Sequence, residues 1–277
     1  MLRSVLRKSK RKHHPTHLSS RSPHFPLSLN VEWTHVTHVF IANSGANAFL
    51  KTIRALASKA NLTYLSVHNL TGLQTHQHIT SIIELPSVYH FSIGGPNAQD
   101  TCKLLLHRIK LPSLQTFSIN NGAIPVFSAR QLPMGTLALF ISRSVFPLVE
   151  LELGNFGMPG SSLTNLLWYI PSLVKLTLET ITYADDFFPA FSQANSLSNH
   201  GHEFLPLLLS LKLAAFPRNS LWRLLLDIWN SEDFPDIRPG DDSWPGHEPF
   251  RRGLQVSLSV ASANETTVPF QIVLHGV

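Results

Sequence analysis

Residues 114–119 read LQTFSI, and this spacing of apolar residues returns along the chain. The pattern is L-x-x-L-x-L, with apolar residues at the first, fourth and sixth positions. Six further copies begin at Val36, Leu62, Val88, Leu148, Leu173 and Leu208. The first four copies begin 26 residues apart, and the later intervals are 34, 25 and 35 residues. A recurring period of this length indicates stacked structural repeats, each with one short strand and a return segment.

The second residue after the strand pattern is asparagine in four copies: Asn43, Asn69, Asn121 and Asn155. These residues complete L-x-x-L-x-L-x-x-N, the pattern of leucine-rich repeats, whose usual length is about 20–29 residues. The two long intervals are therefore interpreted as single repeats with insertions. Because an amide both donates and accepts, a buried column of asparagines can satisfy the backbone groups left unpaired where each strand ends. We expect these four side chains to be buried and bonded to the backbone.

The return segments are predicted to form helices or helical turns. Residues 46–60 place their apolar side chains on one helical stripe. Further helices are expected to begin at polar capping residues, namely Asp100, Ser161 or Ser162, and Asn219 or Ser220. A proline ends the return segment shortly before the strand in five copies: Pro86, Pro112, Pro147, Pro171 and Pro206. Its fixed φ and missing N–H stop a helix and favour an extended chain.

The sequence thus predicts an α/β leucine-rich-repeat solenoid, or horseshoe, with a parallel concave sheet and outer helices over residues 26–277. Pro26–Val31 is expected to add a first strand, and residues 254–260 and 268–274 a terminal strand pair. The alternative is a doubly wound α/β domain, which needs glycine-rich turns after its strands. Gly94–Gly95 and the glycine-containing run at 154–160 lack the spacing of a nucleotide-binding loop.

The positive net charge of +5 belongs to the N-terminal region. Residues 1–31 hold seven Lys and Arg and no acid, which leaves 15 Lys and Arg against 17 acids in the remainder. Residues 1–25 are predicted to be a basic disordered tail, although its KSKRKHH block at 8–14 is also compatible with a nuclear localisation signal, a nucleic-acid contact or part of a transit peptide. We expect no nucleic-acid binding by the folded part.

Targeting and redox signals are sparse. An early apolar segment is interrupted by Arg3, Arg7 and Lys8, so no signal peptide is expected, and no apolar stretch has the length of a membrane span. Cys102 is the single cysteine, which excludes an internal disulfide and a cysteine-based zinc site. We therefore expect a cytoplasmic or nuclear protein without a membrane partner.

Segments of the form x-P-S-L-x-x-L-x-L, beginning at Leu85, Leu111 and Ile170, resemble the repeats of F-box-like leucine-rich-repeat proteins of mushroom-forming fungi. The stretch PLSLNVEWTHVTHVFI at 26–41 is similar to them too. The resemblance spans roughly residues 26–260. It implies that the repeats select the substrate of a cullin–RING ubiquitin ligase, while an F-box docks onto an SKP-type adaptor. The first 25 residues do not match an F-box, so the adaptor is an expected partner only if an F-box lies upstream.

Between their apolar positions, the predicted strands place two rows of side chains on the concave face. The position before the second apolar residue, here the first row, reads His38, Tyr64, His90, Thr116, Glu150, Lys175 and Ser210. The position after it, the second row, reads Phe40, Ser66, Ser92, Ser118, Glu152, Thr177 and Lys212. We predict that another protein binds at His38, Phe40, Tyr64, His90, Thr116, Glu150, Glu152, Lys175 and Lys212. A solvated sheet face without a specific ligand is the alternative.

Other polar clusters are interpreted as loops. His76 and His78 lie close in sequence but lack cysteine or carboxylate partners for a metal, and Asp185–Asp186 adjoins Phe187–Phe188 in an insertion that could contact a partner. The chain carries no G-x-S-x-G, H-E-x-x-H or phosphate-loop motif. We therefore predict a protein-binding module that is not an enzyme and has no cofactor or metal. A free-standing scaffold without any ubiquitin connection is the alternative function.

Overall fold

A computed structural model describes residues 15–21, 32–58, 60–72, 81–122, 131–179, 204–216, 255–260 and 268–273. These residues form a mixed α/β fold around a ten-stranded sheet. The sheet contains β1 (His17–Ser20), β2 (His38–Ala42), β3 (Tyr64–His68), β5 (His90–Gly94), β7 (Thr116–Asn120), β8 (Glu150–Gly154), β9 (Lys175–Glu179), β10 (Ser210–Phe216), β11 (Gln255–Val260) and β12 (Val268–Val273).

Four helices and a small second sheet complete the described part of the chain. The helices are α1 (Ala46–Ala57), α2 (Ala98–Leu106), α3 (Met134–Ser144) and α4 (Gly160–Leu167), and a short 3-10 helix spans Trp33–His35. Two short strands, β4 (Ile83–Glu84) and β6 (Ile109–Lys110), pair in parallel away from the main sheet. None of the helices described is long and apolar enough to cross a membrane.

The main sheet follows chain order from β1 to β12. Neighbouring strands are parallel except the last two, β11 and β12, which are antiparallel. The repeat predicts strands at 37–41, 63–67, 89–93, 115–119, 149–153, 174–178 and 209–213, and all seven are present, each beginning one residue later than expected. Equivalent residues of neighbouring copies face one another, as Tyr64 faces His90 and His90 faces Thr116. The predicted terminal strand pair is also present as β11 and β12.

An additional strand lies ahead of the first copy. β1 pairs with β2 in register, so that His17 faces His38. The predicted tail over residues 1–25 therefore contains a strand, which the sequence did not indicate because HLSS carries little of the apolar pattern. The strand expected at Pro26–Val31 lies outside the described residues, as do the insertions at 123–130 and 180–203.

The helices match the predicted stripes but differ at their ends. α2 begins at Ala98 rather than at Asp100, which lies in its first turn, and α4 begins at Gly160, just before the expected caps Ser161 and Ser162. In both cases a small first residue packs into the core and lengthens the helix: Ala98 is fully buried and Gly160 is buried. The helix expected after Asn219 or Ser220 falls outside the described residues.

For helix α3 the sequence analysis gave no start residue and no apolar stripe, although its spacing of buried residues is helical. Leu137, Phe140 and Ile141 are three and four residues apart and share one face. The segment preceding it carries Pro125 and Pro133, which break the local pattern. The helix therefore depends on packing against its neighbours more than on a clear start signal.

One hydrophobic core lies between the sheet and the helices. The apolar strand positions, such as Leu65, Phe91 and Leu151, are buried together with the apolar faces of α1 to α4. The ring of Phe117 lies 5.5 Å from that of Phe91 and 5.7 Å from that of Phe140, so aromatic contacts run between neighbouring repeats. Since strand side chains alternate in direction, the first and second rows lie on the opposite face of the sheet.

The four asparagines do not form the expected buried, backbone-bonded column. Asn43 is exposed, Asn69 and Asn155 are half-buried, and only Asn121 is fully buried. The amides of Asn43 and Asn69 bond each other, with Nδ2 of Asn69 donating to Oδ1 of Asn43 at 2.6 Å. Within the described residues, the side-chain atoms of Asn121 have no hydrogen-bond partner. The predicted role was wrong because three of these residues adopt left-handed backbone geometry, which asparagine tolerates.

Candidate functional site

The candidate site is the sheet face that carries the first and second rows. The parallel register aligns the first row across β2 to β10, and β1 extends it by His17. The second row is aligned in the same way and is extended by Ser19. All the predicted binding residues therefore share one face: His38, Phe40, Tyr64, His90, Thr116, Glu150, Glu152, Lys175 and Lys212.

Four rings stack along the first row. The centroid distances are 4.2 Å from His17 to His38, 5.5 Å from His38 to Tyr64 and 4.3 Å from Tyr64 to His90. The planes deviate by only 13–22° from parallel. Because the rings cover one another's faces, contact with another molecule is left mainly to their edges, which carry imidazole nitrogens and a phenol hydroxyl. The stack is a preformed surface that is both apolar and able to form hydrogen bonds.

Neighbouring threonines hold two of these rings. Oγ1 of Thr37 lies 2.8 Å from Nδ1 of His38, and Thr16 makes the same contact with His17. Each contact occupies Nδ1 of the ring and restricts the orientation of the imidazole. A ring restricted in this way has little side-chain freedom left to lose in an interface.

A third set of side chains lies at the strand ends. His68 packs its ring against Phe40 at a centroid distance of 5.2 Å. Its imidazole also lies over Gly94, where an added Cβ would come within 2.3 Å of Cε1 of His68. Because Gly94 has no side chain, the imidazole of His68 can lie against the sheet at this position. The predicted rows did not include His68, although extending the strand pattern by one more alternate position would have found it.

The face is charged on β8 to β10. Nζ of Lys175 lies 3.7 Å from Oε2 of Glu150 along the first row. Glu152 is half-buried and Lys212 is exposed in the second row. Sequence reasoning missed one more carboxylate at the strand ends, Glu179. These side chains give the face an aromatic half followed by a half of mixed charge.

An amide network borders the charged half. Nδ2 of Asn155 donates to Oδ1 of Asn120 at 2.9 Å, and Nδ2 of Asn120 lies 3.5 Å from Oε2 of Glu179. Gly154 lies beneath this network, since a Cβ there would come within 2.7 Å of Nδ2 of Asn120. The network occupies the polar groups at the strand ends and keeps the carboxylate of Glu179 in place.

Burial sets the protonation of three histidines. Burial lowers the pKa of His90, and His38 lowers it further. The carboxylates of Glu150 and Glu152 raise the pKa of His90, but burial is the largest effect. Burial also lowers the pKa of His38, to which His17 adds, and that of His68. The ordinary histidine pKa is 6.5. These three rings are therefore neutral at neutral pH and suit an apolar or cationic contact.

The described residues contain no group of three or more His, Cys, Asp or Glu side chains that could hold a metal ion. His76 and His78 lie outside the described residues, as do Asp185–Asp186 and the adjoining phenylalanines. Cys102 lies in the core, where burial strongly raises the pKa of its thiol.

Comparison with known proteins found no matching family model, no significant match among curated proteins and none among solved structures.

Proposed function

We propose that this chain is a leucine-rich-repeat solenoid that binds another protein through the face carrying the first and second rows. The observation that supports this most directly is the stack of four rings from His17 to His90, which continues into a charged half on the same face. Aromatic side chains bury a large area with few rotatable bonds and supply much of the binding energy of protein interfaces. Charged groups beside such an anchor mainly steer and orient the partner.

The repeat register supports the solenoid part of the proposal. Successive copies align residue by residue between β2 and β10, and each copy buries its apolar positions against its neighbours. Solenoids commonly present such an extended sheet face for recognition. In this proposal the face is concave, and a partner contacts several repeats at once.

The proposed partner class follows from the sequence resemblance. Repeats of this style would serve as the substrate-binding half of an F-box-type protein in a cullin–RING ubiquitin ligase. An SKP-type adaptor would then bind an F-box encoded upstream of the repeats. A scaffold with no ubiquitin connection would use the same face, and co-precipitation of the adaptor with a longer gene product separates the two.

The proposed face can be tested by comparing two double variants with the wild type in affinity capture from the source cells. Tyr64→Ala/His90→Ala removes the last two rings of the stack, on β3 and β5, and Glu150→Lys/Lys175→Glu exchanges the charges of one pair. We expect the ring variant to lose bound partners because truncating an interface anchor costs about 2–4 kcal/mol, or roughly 30- to 1000-fold in affinity. The charge exchange should alter which partners are retained.

The matched control is Glu84→Lys/Lys110→Glu. This pair has an Nζ–Oε1 distance of 3.2 Å and lies on β4 and β6, outside the main sheet. We expect this control variant to capture the same partners as the wild type. Folded ring and charge variants that keep every partner would show that this face is not the binding site.

A further inference from the structure

Between its aromatic and charged halves the face carries only small side chains, and this part of the face is here called the notch. Its floor is Thr116 and Ser118 on β7, which are the small side chains between two larger walls. His90 on β5 forms one wall, and Glu150 and Glu152 on β8 form the other. All five residues are half-buried, so their side chains remain accessible from the face.

The ring of His90 turns one flat side towards the notch. Its other side is covered by Tyr64, whose ring lies 4.3 Å away and only 13° from parallel. The next residue in the row is Thr116, which has no ring. Among the described residues the stack therefore ends at His90, and the outer face of this imidazole borders the notch.

The opposite wall carries excess negative charge. Glu150 is paired with Lys175, whose Nζ lies 3.7 Å from its Oε2. Glu152 has no ion-pair partner within the part of the chain that the structure describes. Both carboxylates are close enough to raise the pKa of His90, although burial outweighs them and keeps the pKa of this ring low. The notch thus presents an unbalanced carboxylate opposite a neutral ring at neutral pH.

The width of the notch fits one planar group. β5 and β8 are two strand intervals apart, about 9.6 Å between backbones, and Glu152 lies two residues, about 6.6 Å, further along β8 than the position in register with His90. A planar group in contact with His90 needs about 3.5–4.0 Å. The remaining distance suits a Glu152 side chain that reaches the group through a charge-assisted hydrogen bond of about 2.7–2.9 Å.

We propose that the notch binds the guanidinium group of an arginine from an extended segment of the protein partner. This inference rests on the proposed function, since it names the chemistry that the same face selects. The planar guanidinium stacks on His90 while its N–H groups donate to the carboxylate of Glu152. A lysine ammonium supplies the charge but neither the flat surface nor the paired donors, so it fits less well.

The inference is tested with capped nine-residue glycine–serine peptides that differ only at the central residue, which is arginine, lysine or citrulline. Citrulline keeps the shape of arginine without its charge. Titration of the full chain with dye-labelled peptides, followed by fluorescence anisotropy, gives the affinities. We expect the citrulline peptide to bind about 10- to 100-fold more weakly than the arginine peptide, as for loss of a charged hydrogen bond. The lysine peptide should lie between them.

Two variants locate the site. Glu152→Gln keeps the side-chain shape and should weaken arginine binding about 10-fold or more, and Thr116→Leu should weaken it by filling the floor. The control is Glu84→Gln, the same substitution at an exposed carboxylate on β4, and we expect no change. The ring signals of His90 in the wild-type chain should shift in NMR spectra with the arginine peptide and not with citrulline.

Equal binding of the arginine and citrulline peptides overturns the inference, as does an unchanged affinity in Glu152→Gln. This failure is distinct from failure of the proposed function. If the peptides fail while the ring variant still loses its partners, the face binds protein without an arginine in the notch. If the ring variant keeps all its partners, the proposed function fails whatever the peptides do.

Discussion

The residue that directly follows a strand has left-handed backbone geometry in four repeats. The φ angles are 54° at Asn43, 52° at Asn69, 98° at Gly95 and 60° at Asn155. Each of these residues also donates its backbone N–H to the last residue of the next strand, as Asn69 does to Gly94 at 2.9 Å. Asparagine and glycine are the residues that adopt this region most readily. Their recurrence therefore reflects a backbone turn.

Among these four positions, Gly95 is the one at which the backbone geometry least tolerates a side chain. A Cβ atom there would lie 3.0 Å from the backbone nitrogen of Asn69, and the φ of 98° already disfavours other residues. We predict that Gly95→Ala lowers the free energy of unfolding by about 1–3 kcal/mol, measured by urea denaturation. Gly95→Asn should cost less, because asparagine tolerates positive φ.

Gly135 is the matched control for this prediction. It lies in the first turn of α3, and an added Cβ would have no neighbour within 4 Å. Gly135→Ala should stabilise the chain by about 0.4–1 kcal/mol through the unfolded state. Equal effects at Gly95 and Gly135 would argue against the backbone explanation.

These residues show what sequence could predict at this scale. The Asn positions were identified correctly because they keep a fixed offset from each strand. Their role was not identified correctly. The pattern L-x-x-L-x-L-x-x-N is the same whether the asparagine side chain forms hydrogen bonds to the turn or the asparagine is there because it tolerates a positive φ. Asn121 illustrates the difference, since it is buried and is not among the left-handed residues.

At the scale of elements, neighbouring helices are joined by side chains that reach between repeats. Arg143 near the end of α3 donates to the carbonyl oxygens of His107 at 3.1 Å and Ile109 at 2.7 Å, and to that of Leu106. These oxygens lie at and beyond the C-terminal end of α2, where backbone acceptors lack helical partners and the helix dipole attracts a cation. One guanidinium therefore caps α2 and fixes α3 beside it.

We predict that Arg143→Met destabilises the chain by about 1–3 kcal/mol, because it leaves several carbonyl groups without their donor. The methionine keeps much of the apolar stem, so the loss reports mainly on the hydrogen bonds. Arg54→Met is the control, since Arg54 of α1 makes an exposed 2.7 Å contact with Oγ of Ser81. It should change stability by less than about 0.5 kcal/mol. Thermal or urea unfolding of both variants measures the difference.

The elements themselves were predictable to different degrees. Strand starts were located within one residue because the apolar spacing is local and repeated, although β10 runs three residues past its predicted end at residue 213. Helix ends were less predictable, since Ala98 and Gly160 extend their helices by packing and not by capping. The residues of the first and second rows were predicted from the alternation of side chains along each strand. The stacking of His17 was not predicted, because His17 lies on β1 and the sequence of this strand lacks the apolar pattern.

At the scale of the whole molecule, stability depends on contacts between neighbouring repeats. The ring of Phe91 lies 5.5 Å from that of Phe117 and 8° from parallel, and each is fully buried. Val39 is also buried but lies three strand intervals from Phe117, about 14 Å away. In a linear series of repeats, mutations in neighbouring copies are expected to be coupled in their effect on stability. Mutations in distant copies are expected to act nearly independently.

We predict that Phe91→Leu and Phe117→Leu are coupled by about 0.5–1.5 kcal/mol in a double-mutant cycle, the usual size for an aromatic pair. Val39→Ala and Phe117→Leu should instead be additive within about 0.3–0.5 kcal/mol. Urea denaturation of the single and double variants gives both values. Coupling of similar size in the two cycles would contradict a nearest-neighbour organisation.

The proline in β12 has a consequence for self-association. A sheet of parallel strands can be lengthened by any further strand of the same direction, including one from a second copy of the chain. β12 runs against β11 and contains Pro269, which has no N–H to offer a neighbour. Proline makes a sheet edge a poor template for another molecule because it removes a backbone donor. Within the described residues, this end of the sheet is therefore a poor place for a strand from a second copy of the chain to add.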